Sequence, residues 1–355
     1  MHEIITLEVG HGDSLILKYE IDSTIKYAII DCHKPTNTDK SPTLKYLQDH
    51  KISEISFICL THPDKDHYSG LLELLNYSNS NAIKINRYYD FGMDVDKYRV
   101  STCSTKQKEK ELYELYKKLL DYKNKFNIEY NQLSYNTILE EHDEFRIFAI
   151  APFNMALKRY RNQASKALNT GRYSLVDKNL LSAVLLIKDG KSISLLCSDA
   201  NSESLKSALA KYEGDYKKEI SQRKISMVKV SHHGSKTGYF KELYDNYCNS
   251  GTKAVISANG TYNLPAKDIV EKIAKENINI YCTGKPSWLA NDGRKLDLDL
   301  RNELDDELII EGLEQDTIKP FEIDGNSFNG TISFSSNSNL IQCTGHPHPL
   351  NHILE

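Results

Sequence analysis

Thr61-His62-Pro63-Asp64-Lys65-Asp66-His67-Tyr68-Ser69-Gly70 follows directly on the apolar run Ile55-Ser56-Phe57-Ile58-Cys59-Leu60. The run reads as a buried strand, so the polar loop stands at a strand's C-terminal end, where layered α/β proteins carry functional groups without disturbing the sheet. Within it, His62, Asp64, Asp66 and His67 place two imidazoles and two carboxylates in six residues. These are the ligand types of first-row divalent ions, and alternate residues of an extended loop can converge on one point. An Asp-Lys-Asp turn alone would be ordinary solvated surface; the flanking histidines are what call for a metal.

On the N-terminal side, Ile4–Val9 and Ser14–Tyr19 read as β segments joined by the glycine-rich turn Gly10-His11-Gly12-Asp13, and the strand Tyr27–Ile30 ends at Asp31. Pro42–His50 reads as a helix. Beyond the loop, Leu112, Leu115, Tyr116, Leu119, Leu120 and Tyr122 recur at helical spacing in Lys106–Phe126, with seven lysines on the other positions. Further strands are expected at Phe145–Ile150, Ser182–Ile187, Ser192–Cys197, Ile225–Val230, Ala254–Ser257 and Thr331–Phe334. The acidic segment Asp292–Asp316 reads as helix-forming and inserted. His346 and His348 lie in a terminal Gly345-His346-Pro347-His348-Pro349 run.

A chain of 355 residues can bury a large core, and 39% hydrophobic with 26% charged residues is ordinary for a globular protein. Neither a run of about 18 apolar residues nor an export signal is visible, so a cytoplasmic protein without a membrane span is expected. The seven cysteines form no C-x-x-C pair, and Cys59 and Cys197 lie in apolar runs, which suits core packing in a reducing compartment rather than zinc binding. A net charge of −4 makes the whole molecule no electrostatic trap for nucleic acid. The basic segments 106–125, 158–172 and 217–229 could still line a phosphate track.

Six ordered motifs then give the sequence a likeness. Val9-Gly10-His11-Gly12-Asp13-Ser14, Ile30-Asp31-Cys32-His33, His62 through His67, Asn179-Leu180-Leu181-Ser182, Ser198-Asp199-Ala200 and His232-His233-Gly234-Ser235 follow one another in the chain. This order resembles the metallo-β-lactamase superfamily and, within it, the hydrolase domain of the competence protein ComEC/Rec2, here freestanding. The likeness covers residues 1 to about 283 and a terminal Gly330-Thr331-Ile332 strand. It implies a four-layer αββα metallo-β-lactamase sandwich. The expected organisation is a single domain over 1–345, with helical insertions at about 90–145 and 285–328 and a tail at 346–355.

Carried over residue by residue, the resemblance implies that Asp66, His67 and a bridging Asp199 hold one metal, with His62 and Asp64 holding its neighbour. Asp31 would orient the ligands. His232 or His233 would lie over the site, completing coordination or donating to a phosphate oxygen or leaving group. Asn179 and Ser235, with His233, would contact substrate. Metal-activated hydroxide would attack phosphorus, with Asp66, His233 and Asp31 in the catalytic set. Asp64 and Asn179 stand where other branches carry histidines, which enriches the site in oxygen and favours Mn²⁺ against Zn²⁺, with Mg²⁺ also compatible. Relatives close the ligand set with a histidine where this chain has Leu264, which cannot ligate, so one or two ions are expected. His346 or His348 would have to fold back to replace it.

The resulting expectation is a phosphodiesterase, foremost a nuclease acting on DNA rather than RNA. A hydrolase of a small cyclic or signalling nucleotide is one alternative. A metal-poor binding subunit beside a protein partner such as an ATPase, for example in defence against foreign DNA, is another. Lactamase and thioesterase activities share this fold, so the fold alone chooses no substrate.

Overall fold

Short polar turns divide the apolar segments into strands and helices that stack in layers. The computed structural model describes residues 1–81, 83–92, 106–170, 176–190, 192–289 and 330–345. β1 (His2–Thr6), β2 (Ser14–Ile21) and β3 (Thr24–Cys32) lead into α1 (Pro42–Asp49). Ser41 starts that helix: its hydroxyl accepts from the Leu44 amide at 3.3 Å, and Pro42 stands where an amide would have no partner. Then come β4 (Glu54–Cys59), α2 (Lys65–Tyr68), α3 (Leu71–Ser80), β5 (Lys84–Asp90), α4 (Lys106–Phe126), β6 (Glu129–Gln132), β7 (Ile138–His142), β8 (Phe145–Ala151) and α5 (Asn154–Thr170). The remainder runs β9 (Val184–Asp189), β10 (Ser192–Leu196), α6 (Ser202–Asp215), α7 (Glu219–Arg223), β11 (Met227–Lys229), β12 (Lys253–Ile256), α8 (Lys267–Ala274), β13 (Asn279–Cys282), β14 (Gly330–Ser335) and β15 (Leu340–Gly345).

Among the described residues the strands form two sheets, in the orders β15-β14-β1-β2-β3-β4-β5-β6 and β13-β12-β11-β10-β9-β8-β7. Each sheet is antiparallel on one side and parallel on the other. The parallel parts are β3 to β6 in the first sheet and β10 to β13 in the second. The C-terminal ends of β3, β4, β10, β11 and β12 therefore deliver their loops to a common rim.

Alternation along the strands builds three stacked cores. In β8, Phe145, Ile147 and Ala149 face the first sheet, while Phe148 and Ile150 face the helices; β9 repeats this with Leu185 and Ile187 against Val184 and Leu186. The core between the sheets joins these residues to Leu15, Leu17, Phe57 and Phe334. Outside it, α1, α3, α4 and α5 cover the first sheet and α6, α7 and α8 the second, which completes an αββα sandwich. Leu112, Leu115, Leu119 and Tyr122 of α4 are buried, as their spacing predicts.

Several boundaries differ from the sequence reading. Pairing of β1 stops at Thr6 rather than running to Val9, and the Asp13 amide donates to the Asp66 carbonyl at 3.0 Å. That turn needs Gly12, whose φ is +133° and whose Cβ would lie 2.5 Å from the Asp66 carbonyl oxygen. The basic stretch at 158–161 belongs to α5, which buries Leu157, Tyr160, Ala164 and Ala167 on its other face. The acidic segment 292–316 lies outside the described residues, as do most of the expected insertion at 285–328 and His346 and His348 of the tail. The described Cys32, Cys59, Cys197, Cys248 and Cys282 are buried and unpaired. Among the described residues no helix is long and apolar enough to cross a membrane.

Leu185 is fully buried between the sheets, whereas Met155 is 82% exposed. Leu185→Ala is expected to lower unfolding stability by about 2–5 kcal/mol, and Met155→Ala to change it by less than about 0.5 kcal/mol, measured by urea denaturation.

Candidate metal centre

The loop that follows β4 is held by one carboxylate. Asp31, at the end of β3, has φ of +57°; its Oδ1 accepts from the Thr61 amide at 2.8 Å and its Oδ2 from the Thr61 hydroxyl at 2.7 Å. The same Oδ2 lies 2.8 Å from His67 Nδ1. A ring nitrogen facing a carboxylate carries the proton, so His67 Nε2 presents its lone pair on the opposite side. From the second sheet, His232 and His233 follow β11 with φ of +48° and +53°, and His233 Nδ1 donates to the Ser257 carbonyl at 2.7 Å. His233 Nε2 is thereby left as an acceptor too.

Those two nitrogens converge with two carboxylates. His233 Nε2 lies 3.2 Å from Asp66 Oδ2 and 3.7 Å from Asp199 Oδ1, while His67 Nε2 lies 3.8 Å and 3.5 Å from the same two atoms. For a tetrahedral ion with ligands about 2.0–2.2 Å away, ligand atoms are separated by roughly 3.3–3.6 Å. His62 Nε2, His67 Nε2, His233 Nε2 and Asp199 Oδ1 are buried without a hydrogen-bond partner, a costly arrangement unless a metal cation or bound protons satisfy them. Asp66, His67, Asp199 and His233 thus fit a divalent ion, and all their donor atoms lie within 4.8 Å of one another.

The other expected ligands stand to one side and fall in no such group among the described residues. His62 Nε2 is 3.5 Å from Asp64 Oδ2 and 3.6 Å from Asp199 Oδ2. His232 Nε2 is 3.9 Å from Asp199 Oδ2, with its ring set by Thr237 Oγ1 at 3.0 Å from Nδ1. Ser235 supports that ring indirectly through its hydroxyl, 2.9 Å from Thr237 Oγ1. Asn179 lies within a turn capped by Asp177, its backbone amide donating to Asp177 Oδ1 at 3.1 Å. Its neighbour Lys178 reaches Asp64 Oδ1 at 2.7 Å. Leu264 is half-buried and packs against the helix-side core of the second sheet.

Behind the centre, the Lys229 ammonium and the Asp13 carboxylate form a fully buried ion pair. Lys229 therefore cannot line a phosphate track, contrary to the reading of the basic segment 217–229. Asp13 also lies 3.7 Å from His233 Nδ1 and 4.0 Å from His67 Nδ1. In front, His11 Nε2 is 3.6 Å from Asp66 Oδ2, and its ring packs on His233 and Tyr262. Burial and the neighbouring His233 push the His11 pKa down to about 3, so it stays neutral at physiological pH.

Asp13, Lys178, Ser257 and His11 had no role in the sequence reading, and Lys229 had only its place in a basic segment. The turn Gly10-His11-Gly12-Asp13 was a visible signal for two of them. Nothing local marked Lys178, Lys229 or Ser257, whose partners are remote in the chain.

No protein-family profile matches the sequence, and neither does any curated protein sequence. Among solved structures the chain is similar to a diphosphatase of the PhnP family, at 11% identity over 72% of this chain and 85% of that one, with a TM-score of 0.37. It is also similar to the metallo-β-lactamase fold protein YhfI from Bacillus subtilis, at 10% identity over 78% and 96% of the two chains, with a TM-score of 0.40. A third is Zn²⁺-bound PqqB from Methylobacterium extorquens, at 11% identity over 84% and 100%, with a TM-score of 0.40. Likeness at this level assigns no substrate, and the chemistry rests on the atoms of the site.

Burial disfavours a charged imidazole at His67 and at His233, but Asp199 and the other carboxylates outweigh it and hold both pKa values above the ordinary one, well above for His67. In the metal-free protein these rings keep their protons to higher pH than free histidine does, and a metal must displace them. Apparent metal affinity is therefore expected to rise with pH through and beyond the ordinary histidine range, with proton release on binding. Calorimetry in buffers of different ionisation enthalpy checks this, and a pH-independent affinity would contradict it. A second expectation concerns the buried pair. Lys229→Met strands Asp13 and costs about 3–5 kcal/mol of stability. Most of that loss is recovered in the Asp13→Asn/Lys229→Met double variant, as read by denaturant unfolding.

Proposed function

We propose that the protein is a metal-dependent phosphodiesterase, foremost a nuclease acting on DNA. One observation carries the reading: Asp66, His67, Asp199 and His233, drawn from loops of both sheets, aim their donor atoms at a common point, with the imidazole nitrogens otherwise unpartnered. A divalent ion bound there supplies Lewis acidity, polarising a phosphoryl oxygen and making water nucleophilic at neutral pH. A metal-poor binding subunit would have little reason to leave buried nitrogens in this state.

The remaining residues divide the work. Asp31 and Ser257 fix the two rings so that both Nε2 atoms face the centre. His232 stands on the rim with its side chain 21% exposed, where its Nε2 can hydrogen-bond a phosphoryl or leaving-group oxygen. His11 and Tyr262 wall the side near Asp66 and limit the approach of water. Support for DNA comes from the ordered motifs that resemble the competence-protein branch, His232-His233-Gly234-Ser235 among them. A cytoplasmic setting and a partner such as an ATPase accompany this reading.

Purified protein incubated with bis(p-nitrophenyl) phosphate, linear single- and double-stranded DNA, RNA and a cyclic dinucleotide in Mn²⁺, Mg²⁺ or Zn²⁺ tests it. Cleavage of DNA is expected, lost on chelation. Asp66→Asn, which removes an anionic donor, is expected to lower it by at least about 100-fold. Undiminished cleavage by that variant would sink the assignment. Cleavage of the cyclic dinucleotide alone would move the substrate from DNA to a small nucleotide.

A further inference from the structure

We propose that Lys178 takes the place of a second metal ion, so that the centre holds one divalent ion beside a resident ammonium. The inference rests on the metal-dependent reading of the same site. Its first ground is asymmetry: four donors close around one point, whereas His62, Asp64 and His232 join no group of comparable tightness among the described residues. Its second ground is the ammonium itself, which lies 2.7 Å from Asp64 Oδ1. Asp64 is thus already paired with a cation.

Lys178 is delivered by a built element rather than by a loose surface chain. It opens the turn Lys178–Leu181, capped by the Asp177 side chain, and the Asp177 amide is held by Gln163 Oε1 of α5 at 3.0 Å. Leu180 and Leu181 of the same turn are buried in the core beneath the first sheet's helices. The lysine side chain is 15% exposed. His62 Nε2, buried without a hydrogen-bond partner, lies 3.5 Å from Asp64 Oδ2 and 3.6 Å from Asp199 Oδ2, so a cation is called for on this side, and the ammonium of Lys178 at Asp64 is the resident one. Leu264 adds no donor and packs into the core.

Electrostatics point the same way. With one divalent ion and the ammonium, Asp31, Asp64, Asp66 and Asp199 leave the centre at −1, whereas a second ion would turn it to +1 with two dications and an ammonium close together, and like charges at such range repel strongly.

Metal content measured by mass spectrometry after equilibrium dialysis against Mn²⁺ or Zn²⁺ decides the matter, on the full chain and on Lys178→Ala, Lys178→His and Asp64→Asn. The expected result is one ion per chain in the unmodified protein and still one, with unchanged affinity, in Asp64→Asn. Removing the ammonium is expected to admit a second, weaker ion in Lys178→Ala, bound more tightly in Lys178→His, which adds a nitrogen donor. Two ions in the unmodified protein would overturn the inference, as would loss of the bound ion in Asp64→Asn or failure of both Lys178 variants to take a second ion. No ion in the unmodified protein would overturn the metal-dependent reading itself, a different outcome from the other three.

Discussion

Asp31 binds together what the two sheets offer. Its carboxylate joins adjacent parallel strand ends, accepting both protons of Thr61 at the end of β4 and facing the ring of His67 one helical turn further on. Thr61 extends the connection across the sandwich: its carbonyl accepts from Ala183 at the start of β9, 3.1 Å away, and its hydroxyl lies 2.7 Å from that of Ser198 beside Asp199. A left-handed backbone at a non-glycine residue costs of order 1–3 kcal/mol, and Asp31 holds it because three polar contacts require the carboxylate there. Ligand geometry, ring tautomer and sheet spacing therefore share one constraint.

The electrostatics follow from burying so much negative charge in one place. Asp13, Asp31, Asp64, Asp66 and Asp199 bring five carboxylates, and Lys178 and Lys229 return two ammonium groups, which leaves −3 with neutral imidazoles. Burial opposes ionisation of Asp66 and Asp199, yet the surrounding histidines keep both carboxyls well below their ordinary range. His67 and His233 are displaced in the opposite direction by the same carboxylates. Protons on His67 and His233 are the metal-free protein's substitute for a divalent cation, and acid and metal compete for the same nitrogens.

Much of this was legible in the sequence because it depends on local pattern. The helical spacing in α4, the unbroken apolar runs of β8, β9 and β10 and the density of donors in the His62 loop each report their environment directly. The αββα layering followed from motif order and is borne out by the two sheets and their helices. What escaped depended on contacts between distant residues. α5 looked like a basic stretch because its lysines and arginines stand out more than the Leu157, Tyr160, Ala164 and Ala167 that it buries. The division between His232 and His233 could not be read from two adjacent letters, since it turns on which ring reaches the Ser257 carbonyl.

The two lysines show the same limit in its sharpest form. Lys229 ends a short central strand of the second sheet, so its side chain is committed to the interior and must find Asp13 across the sandwich. Lys178 opens a turn capped by Asp177, and its partly exposed ammonium meets Asp64 at 2.7 Å. One residue type therefore serves as a structural counter-ion behind the centre and as a positioned cation beside it. Because the candidate donors come in pairs, Asp66 and His67 from the first sheet and Asp199 and His233 from the second, the four meet only while the two sheets are docked. An ion that binds only this arrangement would stabilise the closed sandwich by mass action, clamping the layers that form its site.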